Sequence, residues 1–226
     1  MEEYLIPIAI IGGILLIIGV AFYIGYLMEK KRTEALGKAA EELGFDFLPK
    51  GDNRFLSELG GFHLFSQGHS RYLYNLMRGE ANGMEVSIFD YRYTIGAGKH
   101  QHTYNQTVVC FVVPDADLPQ FSLRPENIWH KIGQLFGYQD INFDSHPVFS
   151  RNYLLRGADE AGIRDLFTDD VLEFYEKRTG LSTEGTDDLL LFYRHAKRVD
   201  PNNVHGFLED GFKVMALFTP PPEDNA

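Results

Sequence analysis

The sequence predicts an α+β protein, with an N-terminal transmembrane helix followed by a mixed α+β domain that has a mainly antiparallel sheet. Three observations support this prediction. An uncharged apolar segment near the N-terminus is long enough to cross a bilayer. An alternating apolar pattern follows an Asn-Gly turn signal at residues 82–83. Later segments carry apolar residues three and four positions apart, which is typical of helices.

The N-terminal segment, residues 4–28, contains no charged side chain. As a helix it would be about 38 Å long, against about 30 Å of hydrocarbon in a bilayer. A cleaved signal peptide would need a basic start and a small-residue cleavage site, and this segment has neither. A buried core helix would carry a polar stripe. We therefore expect residues 1–28 to form an uncleaved anchor, which contacts the lipid bilayer through residues 4–28.

The charges that flank this segment predict its orientation. No Lys or Arg precedes it, whereas Lys30, Lys31, Arg32 and Lys38 follow it. The positive-inside rule therefore predicts a single-pass protein of the inner (cytoplasmic) membrane, with its C-terminal domain in the cytoplasm. The single cysteine, Cys110, agrees with a reducing compartment.

Small residues recur four positions apart in the anchor, at Ala9 with Gly13 and at Ala21 with Gly25. Such pairs let two membrane helices approach closely, which would make the protein a homo-oligomer through this helix. The alternative is that glycine is simply common in membrane helices. The sequence leaves both interpretations open.

The rest of the chain divides into three parts. Residues 29–50 form a juxtamembrane helix and linker, because Leu36, Ala39, Ala40 and Leu43 recur at helical spacing. Residues 51–219 are enough for one soluble α+β domain. Residues 220–226 begin with three prolines and continue with polar side chains, which predicts a disordered tail.

The sheet is predicted mainly from two patterns. Residues 72–78 and 84–94 flank the Asn82-Gly83 turn signal and should pair as a hairpin. Residues 107–113 are apolar at successive positions, which predicts a central strand that is covered on both faces. Residues 189–194 form a further strand.

Helical patterns predict three elements after the hairpin. A helix should open at Pro125, and Ile128, Ile132, Leu135 and Phe136 would form its buried face. A second helix should run over residues 159–177. A third should start at Asp200, which is a suitable N-terminal cap.

The charge excludes one class of function. The net charge is −11 and the isoelectric point is about 5.1, whereas nucleic-acid binders need a concentrated basic face. From residue 51 onward the chain has a net charge of −9. A domain of this charge should be held off anionic lipid, while the basic residues 30–32 lie against the headgroups. A single cysteine also excludes an intramolecular disulfide.

Two groups of side chains are candidates for a metal site. His100 and His102 are two residues apart, and on a strand they would point to one face. Asp140, Asp144 and His146 lie close together in a second segment, where carboxylates and an imidazole could bind a metal or transfer protons. The alternative is a solvated loop in the first case and a turn in the second.

The sequence contains neither a known catalytic motif nor a cofactor-binding motif, so enzymatic activity is left undecided. Cys110 lies in the apolar strand and should be buried as a small hydrophobic residue. Asp90 and Arg92 share one face of the second hairpin strand, where they should form part of a structural ion network, and the alternative is an anion-binding site. Further partners could come from Arg71, Arg78, Arg151 and Arg156.

Several segments resemble a group of uncharacterised bacterial membrane proteins. They are Phe89-Asp90-Tyr91-Arg92-Tyr93-Thr94 at the end of the run from Arg71, then Gln106-Thr107-Val108-Val109, Tyr138-Gln139-Asp140 and Phe143-Asp144-Ser145-His146-Pro147. Over most of residues 60–218 the chain is similar to proteins of the DUF3137 type, which have a domain of unknown function. The resemblance implies a membrane-anchored bacterial protein, and it assigns no functional residue.

These observations favour a membrane-anchored protein whose cytoplasmic domain binds a protein or a ligand. The tyrosines at residues 72, 74, 91 and 93 could supply a contact surface or could equally be core. The alternative function is a metal-dependent hydrolase tethered to the inner membrane by the same helix.

Overall fold

The first element is one continuous helix, α1 (Glu2–Leu43), which carries the uncharged segment and runs on beyond it. The computed structural model describes residues 2–114, 116–126 and 139–219, and side chains from residue 10 onward. The most apolar part of α1 has a mean hydropathy of 2.4 and none of it is buried in the protein. It is therefore long and apolar enough to cross a membrane, and it does not pack as a core helix.

The strands of the described residues form one antiparallel sheet. Its members are β1 (Asp46–Leu48), β2 (His69–Ala81), β3 (Met84–Ile95), β4 (His102–Val112), β5 (Leu118–Pro125), β6 (Tyr153–Gly157), β7 (Ser182–Asp187) and β8 (Leu189–Tyr193). Their order across the sheet is β1-β2-β3-β4-β8-β7-β5-β6. Every pair of neighbours is antiparallel. Together with the helices this confirms the predicted α+β class.

The predicted hairpin is present as β2 and β3. Asn82 and Gly83 both have positive φ angles, of 53° and 75°, as a two-residue turn between strands of this twist requires. Gly79 pairs with Val86 and Tyr74 pairs with Asp90, with an irregularity in the register between Tyr74 and Met77.

The central strand is β4, as predicted, and both of its faces are covered. Val109 and Phe111 belong to one buried apolar cluster, whereas Val108 and Cys110 belong to another on the opposite face. The first cluster packs under α1 and the C-terminal helix. The second packs under the short helices that precede β2.

The helices after α1 are short. They are α2 (Asn53–Glu58), α3 (His63–Ser66), α4 (Pro147–Asn152), α5 (Glu160–Leu166), α6 (Asp169–Glu176) and α7 (Val204–Met215). Asp200 caps a 3₁₀ turn, Pro201–Asn203, and α7 follows directly, close to the predicted start of the last helix. Strand β8 agrees with the strand predicted at residues 189–194.

One helix prediction is wrong. Residues 159–177 form two helices, because the backbone becomes extended at Thr168, with φ −63° and ψ 168°. Phe167 is buried there, with 2 % of its surface exposed. Asp169 and Asp170 then occupy the first turn of α6, where negative charge is favourable.

Strands β5, β6 and β7 had no clear pattern in the sequence. Strand β7 contains polar residues and Gly185, and it is buried because β5 and β8 pair with it on both sides. Pro125 ends β5, and the remainder of the helix predicted after it (Ile128, Ile132, Leu135 and Phe136) lies outside the described residues. The predicted tail, residues 220–226, lies outside them too.

Candidate functional site

The junction between α1 and the sheet is held by a buried ion pair. Arg32 donates from Nε to Asp90 Oδ2 and from Nη2 to Asp90 Oδ1, both at 2.8 Å. The Asp90 side chain is 1 % exposed and that of Arg32 is 12 % exposed. Arg32 also donates from Nη1 to the carbonyl oxygen of Val199 at 2.7 Å. This geometry fixes the guanidinium in one orientation.

Arg92, the predicted partner of Asp90, was the wrong residue. Its side chain is exposed, and Asp90 pairs with Arg32 instead. Arg92 donates to Asn105 Oδ1 at 2.9 Å and contributes no charge to the buried pair. Arg32 was expected to lie with the other basic residues against the headgroups, and it instead binds Asp90 inside the domain. Its position was readable from the sequence, since Arg32, Leu36 and Ala40 are four residues apart and share the buried face of α1.

Neutral groups complete the junction. Asn75 donates from Nδ2 to Asp90 Oδ2 at 3.0 Å, and the Thr107 hydroxyl donates to Asp90 Oδ1 at 2.8 Å. The hydroxyl of Thr33 donates to Asn75 Oδ1 at 2.9 Å. One turn closer to the membrane, Glu29 forms an ion pair with Arg198. The membrane helix and the sheet are therefore joined rigidly, without a flexible linker between them.

A groove of about 610 Å³ runs along the outer side of α1, between this helix and the start of α7. Its floor includes Ala35, Ala39 and Leu43 together with Pro201. The two alanines are four residues apart, so they lie on one face, and their small side chains leave the space between the helices unfilled. The rim carries both signs of charge, from Lys31, Glu34, Lys38 and Glu42, and also includes Asn202 and His205.

The groove has the composition of a protein-binding surface. An apolar floor with a polar rim is typical of interfaces between proteins. An elongated floor between two helices suits the apolar face of a third helix. Lys31 lies three residues beyond the uncharged segment, so the groove begins where the chain leaves the membrane.

The candidate metal ligands His100 and His102 lie in two different elements. His100 ends a 3₁₀ turn, Gly98–His100, and His102 is the first residue of β4. Both are exposed. Across the described residues, no group of three or more His, Cys, Asp and Glu side chains is close enough to hold a metal ion.

The second candidate group is occupied by other contacts. Asp140 forms an ion pair with Arg156 at 2.6 Å, and Asp144 is exposed in a turn. His146 Nδ1 lies 3.1 Å from the Ser145 hydroxyl. A metal at either group, and with it the hydrolase alternative, stays a prediction.

A buried polar cluster lies on the opposite face of the sheet, under α3, and no pattern in the sequence indicated it. Glu184 is 1 % exposed and accepts a hydrogen bond from the Tyr193 hydroxyl at 2.7 Å. Arg124 lies 3.9 Å from the same carboxylate and also contacts His63 Nδ1. Burial, and then the nearby charges of Arg124 and Arg156, lower the pKa of His63 from 6.5 to about 3. The imidazole is therefore neutral at physiological pH.

The four tyrosines divide between surface and core. Tyr91 and Tyr93 are fully buried and Tyr74 is 9 % exposed, whereas Tyr72 is 43 % exposed. Cys110 is buried as predicted, and burial raises its thiol pKa to about 12. Most of the proposed aromatic surface is thus core, and only Tyr72 is available to a partner.

Three small residues of the anchor, Gly13, Ala21 and Gly25, are exposed on α1. No side chain lies within 4 Å of a Cβ built on Gly13 or Gly25. The side chain of Ala9 lies outside the described residues. Helix pairing through this face stays a prediction.

The fold of this chain is similar to that of a protein of known structure. No protein-family model matches the chain, and no curated protein matches it. The chain is similar to the crystal structure of the mycobacterial trehalose monomycolate transport factor A, with a TM-score of 0.60 over 85 % of this chain and 98 % of that one. The two are 11 % identical in sequence, so the likeness shows the fold alone.

Proposed function

We propose that this protein is a membrane-anchored binding module, whose groove between α1 and α7 holds a helical segment of a partner protein at the membrane surface. The observation that carries the proposal is the position of the groove. It lies along α1 directly after the uncharged segment, on a helix that the buried Arg32–Asp90 pair joins rigidly to the sheet. A partner that is itself at the membrane would meet this surface in a fixed orientation.

The composition of the groove supports a polypeptide over a small ligand. Lysine and glutamate alternate along its rim, so a partner helix with both signs of charge beside a narrow apolar face would be complementary. The fold neighbour carries the name of a transport factor, which agrees with a binding role at a membrane.

Site-specific photo-crosslinking in native membranes tests the proposal. A photoreactive residue at Lys38 or His205, on the two sides of the groove, should cross-link to the same discrete protein. The matched control is Lys177, an exposed lysine of the α6 end that is remote from the groove, with 71 % of its side chain exposed. It should give no such product.

A variant that fills the groove completes the test. Ala39→Trp should abolish the cross-link from Lys38 while the domain keeps its melting temperature. A product that persists in Ala39→Trp, or that also forms from Lys177, would contradict binding in the groove.

We also propose that the domain lies on the cytoplasmic side of the inner membrane. The basic residues at 30, 31 and 38 after the anchor support this orientation. A pair of reporters fused after Ala226, one active only in the cytoplasm and one only outside it, tests the placement. Activity of the outer reporter alone would refute it.

A further inference from the structure

The direction of α1 against the sheet shows which end of the sheet faces the membrane. Arg32 contacts Asp90 on β3, whereas Phe45, two residues after the helix ends, packs on Gly79, the partner of Val86 in the sheet. Helix α1 therefore runs antiparallel to β3. The C-terminal end of β3 points back toward the membrane segment.

The hairpin between β3 and β4 is long enough to reach the bilayer. From Arg32 back to Met28, where the uncharged segment ends, α1 rises about 6 Å. From Asp90 to Ile95, β3 also runs toward the membrane, over about 16 Å. Even a strand inclined by about 60° to the helix would bring the tip, residues 96–101, level with the end of the uncharged segment.

The part of this membrane-facing end that β2, β3, β4 and β8 form is basic. Three segments meet there: the start of β2, the tip of the β3–β4 hairpin and the loop after β8. His69 pairs with Thr94, and Ile95 pairs with His102. The carbonyl oxygen of Lys197 accepts a hydrogen bond from the Thr107 amide. We call these segments, residues 69–72, 92–105 and 194–198, the basic end. Arg198 in these segments is exposed and forms an ion pair with Glu29, and the other exposed cations are Arg71, Arg92, Lys99 and Lys197.

The defined segments contain no carboxylate, and carboxylates that reach them from other elements are paired, Glu29 with Arg198 and Asp210 with Arg194. The sequence has no Asp or Glu in residues 59–79, 91–114 or 189–199. Among the described residues, none of the other four exposed cations has a carboxylate within 4.0 Å. By contrast, the opposite end of the sheet is acidic, with exposed carboxylates at Glu80, Glu85, Asp117, Asp187 and Asp188. These five carboxylates therefore lie at the end of the sheet that is farther from the membrane.

From this polarity we propose that the basic end docks on anionic lipid headgroups of the same bilayer that holds α1. The expectation that the domain is held off anionic lipid rested on net charge, which does not describe how the charges are distributed along the sheet. Headgroup phosphates within a Debye length, about 8 Å at physiological ionic strength, attract the cations of the near end, while the five acids of the far end lie beyond that distance. The rigid junction at Arg32 holds the basic end at this surface. This docking does not depend on the groove.

Fluorescence quenching in nanodiscs tests the docking with the full chain. A dye on Gln101→Cys, in the hairpin tip, should be quenched by headgroup-labelled lipid. A dye on Glu85→Cys, at the acidic end, is the matched control and should not be quenched. Quenching at 101 should be stronger in discs that contain phosphatidylglycerol than in pure phosphatidylcholine, and it should weaken at high salt.

Charge variants identify the groups responsible. In Arg92→Gln/Lys99→Gln/Lys197→Gln, the ratio of docked to undocked protein in anionic discs should fall about fivefold for each cation removed. The control, Arg151→Gln/Arg164→Gln/Lys177→Gln, removes the same charge elsewhere and should leave the ratio unchanged. Equal quenching at 101 and 85, equal quenching in the two lipids, or an equal effect of the two triple variants would each overturn the proposal.

Discussion

Arg32 and Asp90 form a bidentate ion pair between a helix that leaves the membrane and a strand in the middle of the sheet, 58 residues apart in sequence. The carboxylate accepts from Arg32, Asn75 and Thr107, so its charge is compensated without contact with water. The pair therefore fixes the orientation of the domain with respect to the anchor. The groove and the basic end both depend on that orientation.

Removal of one member of this pair should destabilise the domain strongly. Arg32→Met leaves the charge of Asp90 buried, and we expect the free energy of unfolding to fall by about 3 to 5 kcal/mol. Chemical denaturation in detergent measures it. Lys31→Met, an exposed neighbour, should change stability by less than about 0.5 kcal/mol. If Arg32→Met and Lys31→Met unfold at the same denaturant concentration, the ion pair does not join the helix to the sheet.

His63 should make the protein sensitive to acid. The pKa of His63 is about 3 in the folded protein against 6.5 for an ordinary histidine, so its contribution to stability is complete above pH 6.5 and is lost as pH falls toward 3. The slope from this residue is at most about 1.4 kcal/mol per pH unit. In His63→Asn this slope should be missing from the free energy of unfolding measured between these pH values.

The control for the acid experiment is His205→Asn, since 72 % of the His205 side chain is exposed. Its curve should keep the wild-type slope. A His63→Asn curve parallel to wild type over the whole range would show that the imidazole is not held neutral by the fold.

Cys110 should resist alkylation in the folded protein. The thiol is buried and its raised pKa, about 12, keeps it protonated, so it lacks the reactive thiolate. Mass spectrometry should detect no maleimide adduct on the native wild-type chain and a complete one after denaturation. In Gln101→Cys, the exposed thiol should react in the native state. Rapid native labelling of wild type would contradict the burial of β4.

Gly79→Ala should destabilise the contact between the end of α1 and the sheet. A Cβ at this position would lie 2.4 Å from Cδ1 of Phe45, which is buried at 6 % exposure. Such overpacking costs about 1 to 3 kcal/mol, measurable as a lower melting temperature.

The matched control is Gly206→Ala in α7, where nothing lies within 4 Å of the added Cβ. Helix propensity should make this variant more stable by about 0.5 to 1 kcal/mol. A Gly79→Ala protein that melts at or above the temperature of Gly206→Ala would exclude the close packing of Phe45 on β2.

The elements that the sequence predicted well share a local physical cause. The hairpin depends on Asn82 and Gly83, whose backbone preferences belong to the turn itself. Strand β4 is apolar at successive positions because both of its faces are covered. By contrast, β7 carries polar residues, and only its pairing with β5 and β8 makes it a strand.

The candidate site was less predictable. The basic residues after the anchor could be recognised in the sequence. The burial of Arg32 depends on its position on the same helix face as Leu36 and Ala40, and a count of charges does not include that position. The groove could not be predicted, because its second wall comes from Pro201 and His205, more than 150 residues further along the chain.

The sequence by itself determined the uncharged segment, the hairpin and the central strand. Each results from charge, periodicity or turn chemistry among residues close in the chain. Only the tertiary structure decided that Asp90 pairs with Arg32, that α1 and α7 leave a groove, and that the basic residues gather at the end facing the membrane. These features depend on strand register and on helix packing between distant segments, and neither is written in any local pattern.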